Sequence, residues 1–214
     1  MRYRTLLFDL DGTLVDSSRD LAAAVNAARQ SFGLAPLELA TVRAHIGDGM
    51  RRLVERSVPG VDLQAAVERF CAAYERCLLE TTRPYPGIPE VLAALAGAGC
   101  RMAVVTNKAQ GFSERILEGL GLAPWFGAVI GGDGPAGRKP HPAPLHAALR
   151  ALGAPRAGTL MIGDGPADIG AARALGVPVC GVLYGIGAPP AVRALQPDHL
   201  IERPRELADL VLRL

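Results

Sequence analysis

Short continuous apolar runs alternate with helix-length amphipathic segments along most of this 214-residue chain. "TLLFDL" (5–10), "RMAVVT" (101–106), "GAVIG" (127–131), "TLMIGD" (159–164) and "VPVCGVL" (177–183) read as strands. Apolar residues without polar alternation are expected where both faces of a parallel sheet are covered. Between the later runs lie "IPEVLAALAGAG" (88–99), "GFSERILEGLG" (111–121), "APLHAALRALG" (143–153) and "PADIGAARALG" (166–176), with helical spacing and a glycine stop signal after several of them. Repeated β-α-β units predict an α/β fold with a doubly wound parallel sheet.

One interval breaks the alternation. From about Leu21 to Leu79 only helical patterns occur, including "LAAAVNAARQSF", "LELATVRAHI", "MRRLVERSV" and "LQAAVERFCAAYERCLL". The interval is too long for a crossover connection, so it predicts an inserted all-helical domain. Hinges are expected near 16–20 and in "TTRPYPG" (81–87), where Pro84, Pro86 and Gly87 stop a helix. The expected division is residues 1–15 with 84–214 as the Rossmann-like core, and 16–83 as the helical unit.

Composition excludes several classes. Half the residues are hydrophobic, enough for a sizeable core, and 23 basic against 21 acidic residues leave a net charge of +2. That balance offers nothing to nucleic acid or to an anionic membrane surface. Cys71, Cys77, Cys100 and Cys180 form no C-x-x-C pair and read as reduced thiols of a cytoplasmic protein. The first residues hold too short an apolar run for a signal peptide, and the longest uncharged stretch, 174–192, is too rich in glycine and proline for a membrane helix.

The first strand ends in Asp9, Leu10, Asp11, Gly12. On an extended chain residues i and i+2 share a face, so the carboxylates of Asp9 and Asp11 are expected to converge at the carboxyl end of the strand, where open α/β sheets bind ligands. Their repulsion can be offset by a divalent cation or by a proton. Mg²⁺ suits such a site, because it takes few carboxylates, several waters and a phosphate oxygen. A plain D-G turn remains an alternative. A calcium loop does not, because it requires glycine where Leu14 stands.

Other strand ends carry matching groups. "VVTNK" places Thr106 and Asn107 at a helix start, where a hydroxyl and free N–H groups suit a phosphate. "GRKPHP" fixes Lys139 in a proline-bounded loop, and "MIGDGPAD" puts Asp164 at a strand end with Asp168 four residues on. Singly these read as a helix cap, a solvated lysine and a second cap. In this order around one crevice they read as a site. "GDGPAGRK" (132–139) fails as a nucleotide P-loop, because Arg138 precedes the lysine and Pro140 follows it.

"FDLDGTLVDS", "VVTNK", "RKPHP" and "IGDGPADIGAA" resemble the four ordered motifs of the haloacid dehalogenase superfamily of phosphatases. The helical insertion resembles that superfamily's type 1 cap. The stretches "AHIGDGMRRLVERS" and "YPGIPEVLAALAGAG" are most similar to bacterial phosphoglycolate phosphatases. The resemblance implies Mg²⁺-dependent hydrolysis of a small phosphorylated metabolite, 2-phosphoglycolate first among them, with Asp9 as nucleophile and Asp11 as acid and base. It implies a metal site from Asp9, the backbone carbonyl of Asp11, Asp164 and, more weakly, Asp168. Phosphate would meet Thr106, Asn107 and Lys139. In the cap, Gly47, Asp48 and Gly49 would form a loop closing on the site, with Arg51 or Arg52 meeting a substrate carboxylate. Gly165 departs from the pattern, which has serine or threonine there. Asp11 argues against a dehalogenase, and the absence of histidine from "VDSSRDLAAA" argues against a sugar-phosphate mutase. A pyrophosphatase, a nucleotidase and, more distantly, a phospho-accepting receiver module remain open. The cap's apolar positions suit either a monomer or a homodimer.

Overall fold

The computed structural model describes residues 2–212. In chain order its elements are β1 (Thr5–Phe8), β2 (Val15–Asp16), α1 (Ser18–Ser31), α2 (Leu39–His45), α3 (Met50–Ser57), α4 (Leu63–Cys77), β3 (Arg83–Pro84), α5 (Ile88–Gly97) and β4 (Arg101–Val105). There follow α6 (Gln110–Gly119), β5 (Ala128–Ile130), α7 (Ala143–Ala151), β6 (Thr159–Gly163), α8 (Pro166–Leu175), β7 (Val179–Val182), α9 (Pro189–Ala194), β8 (His199–Ile201) and α10 (Arg205–Leu212).

The strands form a parallel six-stranded sheet in the order β5-β4-β1-β6-β7-β8. Along β1 the side chains alternate between two covered faces. Leu6 and Phe8 join a core with Leu92 and Leu95 of α5, Ile116 of α6 and Leu207 of α10. Leu7 joins the opposite core with Leu145 and Leu149 of α7 and Ile169 and Leu175 of α8. Burial on both faces explains why the strands read as unbroken apolar runs. β8 is the strand that periodicity does not announce. It is a three-residue edge strand with one sheet partner and Leu200 exposed, so it needs no long apolar run. It also places His199 in a strand, where Nε2 lies 2.8 Å from the Tyr3 hydroxyl.

β1 sits between β4 and β6, so the order in which strands are added to the sheet reverses beside it, and the crevice that open α/β sheets use for ligands lies beyond its carboxyl end. Just past that end β2 pairs antiparallel with β3, Val15 opposite Pro84 and Asp16 opposite Arg83. Through this ribbon the chain leaves for α1–α4 and returns. Those helices share the Leu6/Phe8 core through Leu21 and Val25 of α1, Leu53 of α3 and Phe70 of α4. Among the described residues no helix is long and apolar enough to cross a membrane.

Candidate active site

Backbone ends bring the functional groups together. β1 ends at Phe8 and delivers Asp9; β4 delivers Thr106, Asn107 and Lys108; β6 delivers Asp164. Lys139 comes from the loop between β5 and α7, and Asp168 from the first turn of α8. Gly12 makes the tight packing possible. Its φ of 86° favours glycine, and a Cβ there would lie 2.0 Å from Asp164 Oδ2.

The two acids of the first motif do not share one partner. Asp9 Oδ1 accepts from Lys139 Nζ at 2.9 Å and from the Leu10 N–H at 2.8 Å. Asp11 turns away to Lys108, whose ammonium donates to Oδ2 at 2.9 Å and to Oδ1 at 3.2 Å, and it also accepts from the Ser17 hydroxyl at 2.5 Å. The repulsion expected between the acids is thus relieved by two separate lysines. Both lysines are buried, and burial favours the neutral amine, but the facing carboxylates outweigh it and hold each well above the ordinary lysine range.

Lys139 is itself fixed by three acceptors: Asp9, Asp168 Oδ1 at 2.6 Å and the Val105 carbonyl at 2.6 Å. Asp168 Oδ2 accepts from the Gly165 N–H at 3.1 Å, so its carboxylate is occupied at both ends. Asp164 Oδ2 receives the N–H groups of Ile186 and Gly187 at 2.8 and 2.7 Å.

Asp9, Asp164 and Asp168 each offer a carboxylate oxygen within 4.8 Å of the others. The crowding has a charge consequence. Burial, with Asp168 and Asp11 adding to it and Lys139 opposing it, pushes the Asp9 carboxyl up to about 6. Burial, with the charges of Asp9 and Asp168, pushes Asp164 up to about 8. Three carboxylates around one lysine leave two negative charges, the charge of one divalent cation, and hard oxygen donors suit Mg²⁺. The residues therefore fit the metal. The side chain of Asp11 stands outside this cluster.

Thr106 is buried, and its Oγ1 accepts from the Lys108 N–H at 3.2 Å, which leaves its O–H to donate. The side-chain amide of Asn107 is taken up otherwise. It clamps the backbone of Lys139 (N–H to Oδ1 2.9 Å, Nδ2 to the carbonyl 3.0 Å) and donates to the Gly47 carbonyl of the helical unit at 3.1 Å. Asn107 thus sets Lys139 and ties the α2–α3 loop to the site. Gly165 needs no glycine for space: a Cβ there would lie 3.7 Å from Asp168 Oδ2, an ordinary contact.

Two cavities meet at Asp9 and Asp11. One, of about 40 Å³, lies under the helical unit beside Gly47, Gly49, Met50, Tyr74, Thr106 and Lys108. The other, of about 550 Å³, runs past Asp164, Asp168 and Asp48 and carries Arg43 and Arg56. Arg51 and Arg52 line neither. α3 buries Leu53, Val54 and Ser57, so helical spacing turns Arg51 and Arg52 to solvent, where Arg52 pairs with Glu55 at 2.6 Å. The expectation that one of them reaches the site is not met. Arg43, which points at the Gly185 carbonyl (3.3 Å), and Arg56, which pairs with Asp48 at 2.6 Å, stand at the cleft instead. Sequence reasoning also passed over Lys108, Ser17 and Tyr74. Lys108 carried one available signal, a lysine directly after Thr106 and Asn107 at the same strand end; Ser17 and Tyr74 carried none.

The chain matches the family model described as haloacid dehalogenase-like hydrolase over residues 6–182. It is 42% identical over 198 residues to a phosphoglycolate phosphatase of Rhodospirillum rubrum, covering 87% of this chain and 82% of the relative. It is 36% identical to the phosphoglycolate phosphatase of Aquifex aeolicus, covering 97% and 96% of the two chains. A crystal structure described as a predicted phosphoglycolate phosphatase from Haemophilus somnus superposes with a TM-score of 0.92 at 30% identity, covering 98% of each chain. With the four motifs gathered at the carboxyl end of the sheet, the chain belongs to the haloacid dehalogenase-like hydrolase family, and it is one of that family's phosphatases.

Proposed function

We propose that the protein hydrolyses 2-phosphoglycolate to glycolate and phosphate, with Mg²⁺ as cofactor and an aspartyl-phosphate on Asp9 as intermediate. One observation carries the reading. Asp9 and Asp11 face one space, yet each has its own lysine, so the two carboxylates are set up for different tasks. Lys139 and the Leu10 N–H hold Oδ1 of Asp9 and so aim its other oxygen. That oxygen attacks phosphorus, and the P–O bond to the glycolate oxygen breaks. Asp11 gives its proton to the departing alkoxide. It then takes a proton from the water that attacks the phosphoenzyme, which releases phosphate and restores Asp9.

The Thr106 hydroxyl and the Lys139 ammonium meet the phosphoryl oxygens; their positions are preset by β4 and by the Asn107 clamp, so little reorganisation accompanies the charge shift. Asp9, Asp164, the Asp11 carbonyl and, more loosely, Asp168 would hold Mg²⁺. When bound it supplies further neutralisation of phosphoryl charge. Residues 16–83 act as a cap on a core of 1–15 and 84–214, closing through the Asn107–Gly47 contact to exclude water. Relatives at 36–42% identity that are phosphoglycolate phosphatases support the substrate. The cavity under the cap supports it too, since its largely apolar walls bring a single cationic side chain among the described residues, Lys108, beside Asp11. Steady-state kcat/KM over a panel of phosphomonoesters, with and without Mg²⁺, tests the proposal. 2-Phosphoglycolate should rank first and depend on the metal, and a nucleotide or sugar phosphate ranking first would overturn it.

A further inference from the structure

The cavity under the helical unit contains a hydroxyl whose near partner is the Lys108 ammonium, a donor, so its own O–H has no acceptor. Tyr74 on α4 is 1% exposed, and its hydroxyl makes no hydrogen bond of ordinary geometry. Buried hydroxyls whose O–H finds no acceptor are rare. The ring has little freedom to move away. It stacks on Phe70 at 5.5 Å and meets Phe112 edge-on at 5.1 Å. Lys108 Nζ lies 4.7 Å from the ring centroid, and its ammonium is the strongest charge acting on the hydroxyl.

Among the described residues Lys108 is the only cationic side chain lining this cavity; the other walls are largely apolar, including Leu21, Ile46, Leu53 and Phe112. Its ammonium has three donors, and its two bonds to Asp11 leave capacity for another acceptor. The chemistry fixes how far a substrate group lies from it. The leaving oxygen has to sit within hydrogen-bond reach of Asp11, whose oxygens are 2.9 and 3.2 Å from Lys108 Nζ. In a phosphorylated 2-hydroxy acid the carboxylate is attached one carbon further on, which brings it to Lys108 and Tyr74. Arg43 and Arg56 line the other cavity, and Arg56 is already paired with Asp48.

We propose that Lys108 and Tyr74 are the specificity-determining pair of this enzyme. The Lys108 ammonium and the Tyr74 hydroxyl both donate to the substrate carboxylate, so that recognition of the acid lies on β4 and α4 and not on an arginine. This rests on 2-phosphoglycolate being the substrate. The Tyr74 O–H, which has no acceptor in the free enzyme, gains one in the complex. An analogue without the carboxylate leaves both donors unmatched, which is where discrimination against a close mimic is largest.

The test compares 2-phosphoglycolate with ethyl phosphate, a substrate of similar length that lacks the carboxylate. In Tyr74→Phe, which keeps the ring and its packing, the ratio of the two kcat/KM values should fall about tenfold, mostly through KM for phosphoglycolate. In Lys108→Met it should fall further, while Arg51→Ala and Arg52→Ala keep the wild-type ratio. A wild-type ratio retained in both Tyr74→Phe and Lys108→Met overturns the assignment alone. A wild-type enzyme with no preference for phosphoglycolate over ethyl phosphate overturns the substrate reading and the assignment with it.

Discussion

Lys139 Nζ donates to Asp168 Oδ1 at 2.6 Å, with both side chains almost wholly removed from water. The same ammonium reaches Asp9 at 2.9 Å, so the position of Asp9, the proposed nucleophile, is set through a lysine by an acid on a different element, α8. On the proposed mechanism Asp168 positions rather than reacts. Asp168→Asn keeps the shape but removes the charge that anchors Lys139. It should lower kcat by about 10- to 100-fold, the range for losing an outer partner that orients a site group. Lys139→Met, which leaves two buried carboxylates without their cation, should be worse and destabilise the fold by about 3–5 kcal/mol. Stopped-time kinetics and urea unfolding check both.

Asp11 and Lys108 make a separate pair, so the second acid can be altered without disturbing the first. In Asp11→Asn, Asp9 keeps Lys139 and the Leu10 N–H and can still attack, but the amide can neither protonate the departing alkoxide nor take a proton from water. Rapid quench should then show phosphoenzyme forming slowly and persisting, with steady-state turnover reduced at least about 100-fold. Normal steady-state turnover would remove Asp11 from acid–base chemistry. Asp9→Asn should yield no phosphoenzyme at all.

The metal cluster makes a prediction about pH. Asp9 at about 6 and Asp164 at about 8 both lie above the 3.8 of an unfolded carboxyl. The folded, metal-free protein therefore holds more protons than the unfolded chain across this window, and its stability falls as pH rises from about 4 to about 8. Hydrogen-bonded acids such as Asp20 act in the opposite sense, in a lower, more acidic range. Mg²⁺ takes the place of those protons. Its stabilising effect on Tm should be larger at about pH 8.5 than at about pH 6, each 1 kcal/mol appearing as about 2–4 °C. Thermal scans in EDTA and in saturating Mg²⁺ at the two pH values measure it.

The root of the helical unit is held by one carboxylate. Asp20 on α1 accepts from the N–H and hydroxyl of Thr81, at 3.0 and 2.5 Å, and of Thr82, at 2.8 and 2.7 Å, across some sixty residues of chain. These bonds more than offset burial and hold Asp20 below the usual carboxylate range. Asp20→Ala strips four donors of their acceptor and should cost about 3 kcal/mol, a Tm lower by roughly 6–12 °C. An unchanged Tm would show that the β2–β3 ribbon alone secures the unit.

Local chemistry wrote the α/β architecture and the strand-end acids into the chain plainly. Unbroken apolar runs such as Leu6–Leu7 and the run before Thr106 demand a sheet covered on both faces, and the strandless interval 21–79 demands helices. Asp9, Thr106 and Asp164 were legible because each stands at a strand end, a place that sequence periodicity marks, and Lys139 because Pro140 and Pro142 bound its loop. What each group faces was decided only by tertiary packing. Asp11 turns to Lys108, Asn107 clamps Lys139 and Gly47, and α3 presents Arg51 and Arg52 to water because Leu53 and Val54 take the inner side. A partner ninety-seven residues away along the chain leaves no local trace, and the energy of an ion pair depends on distance and burial, quantities that exist only once the chain has closed.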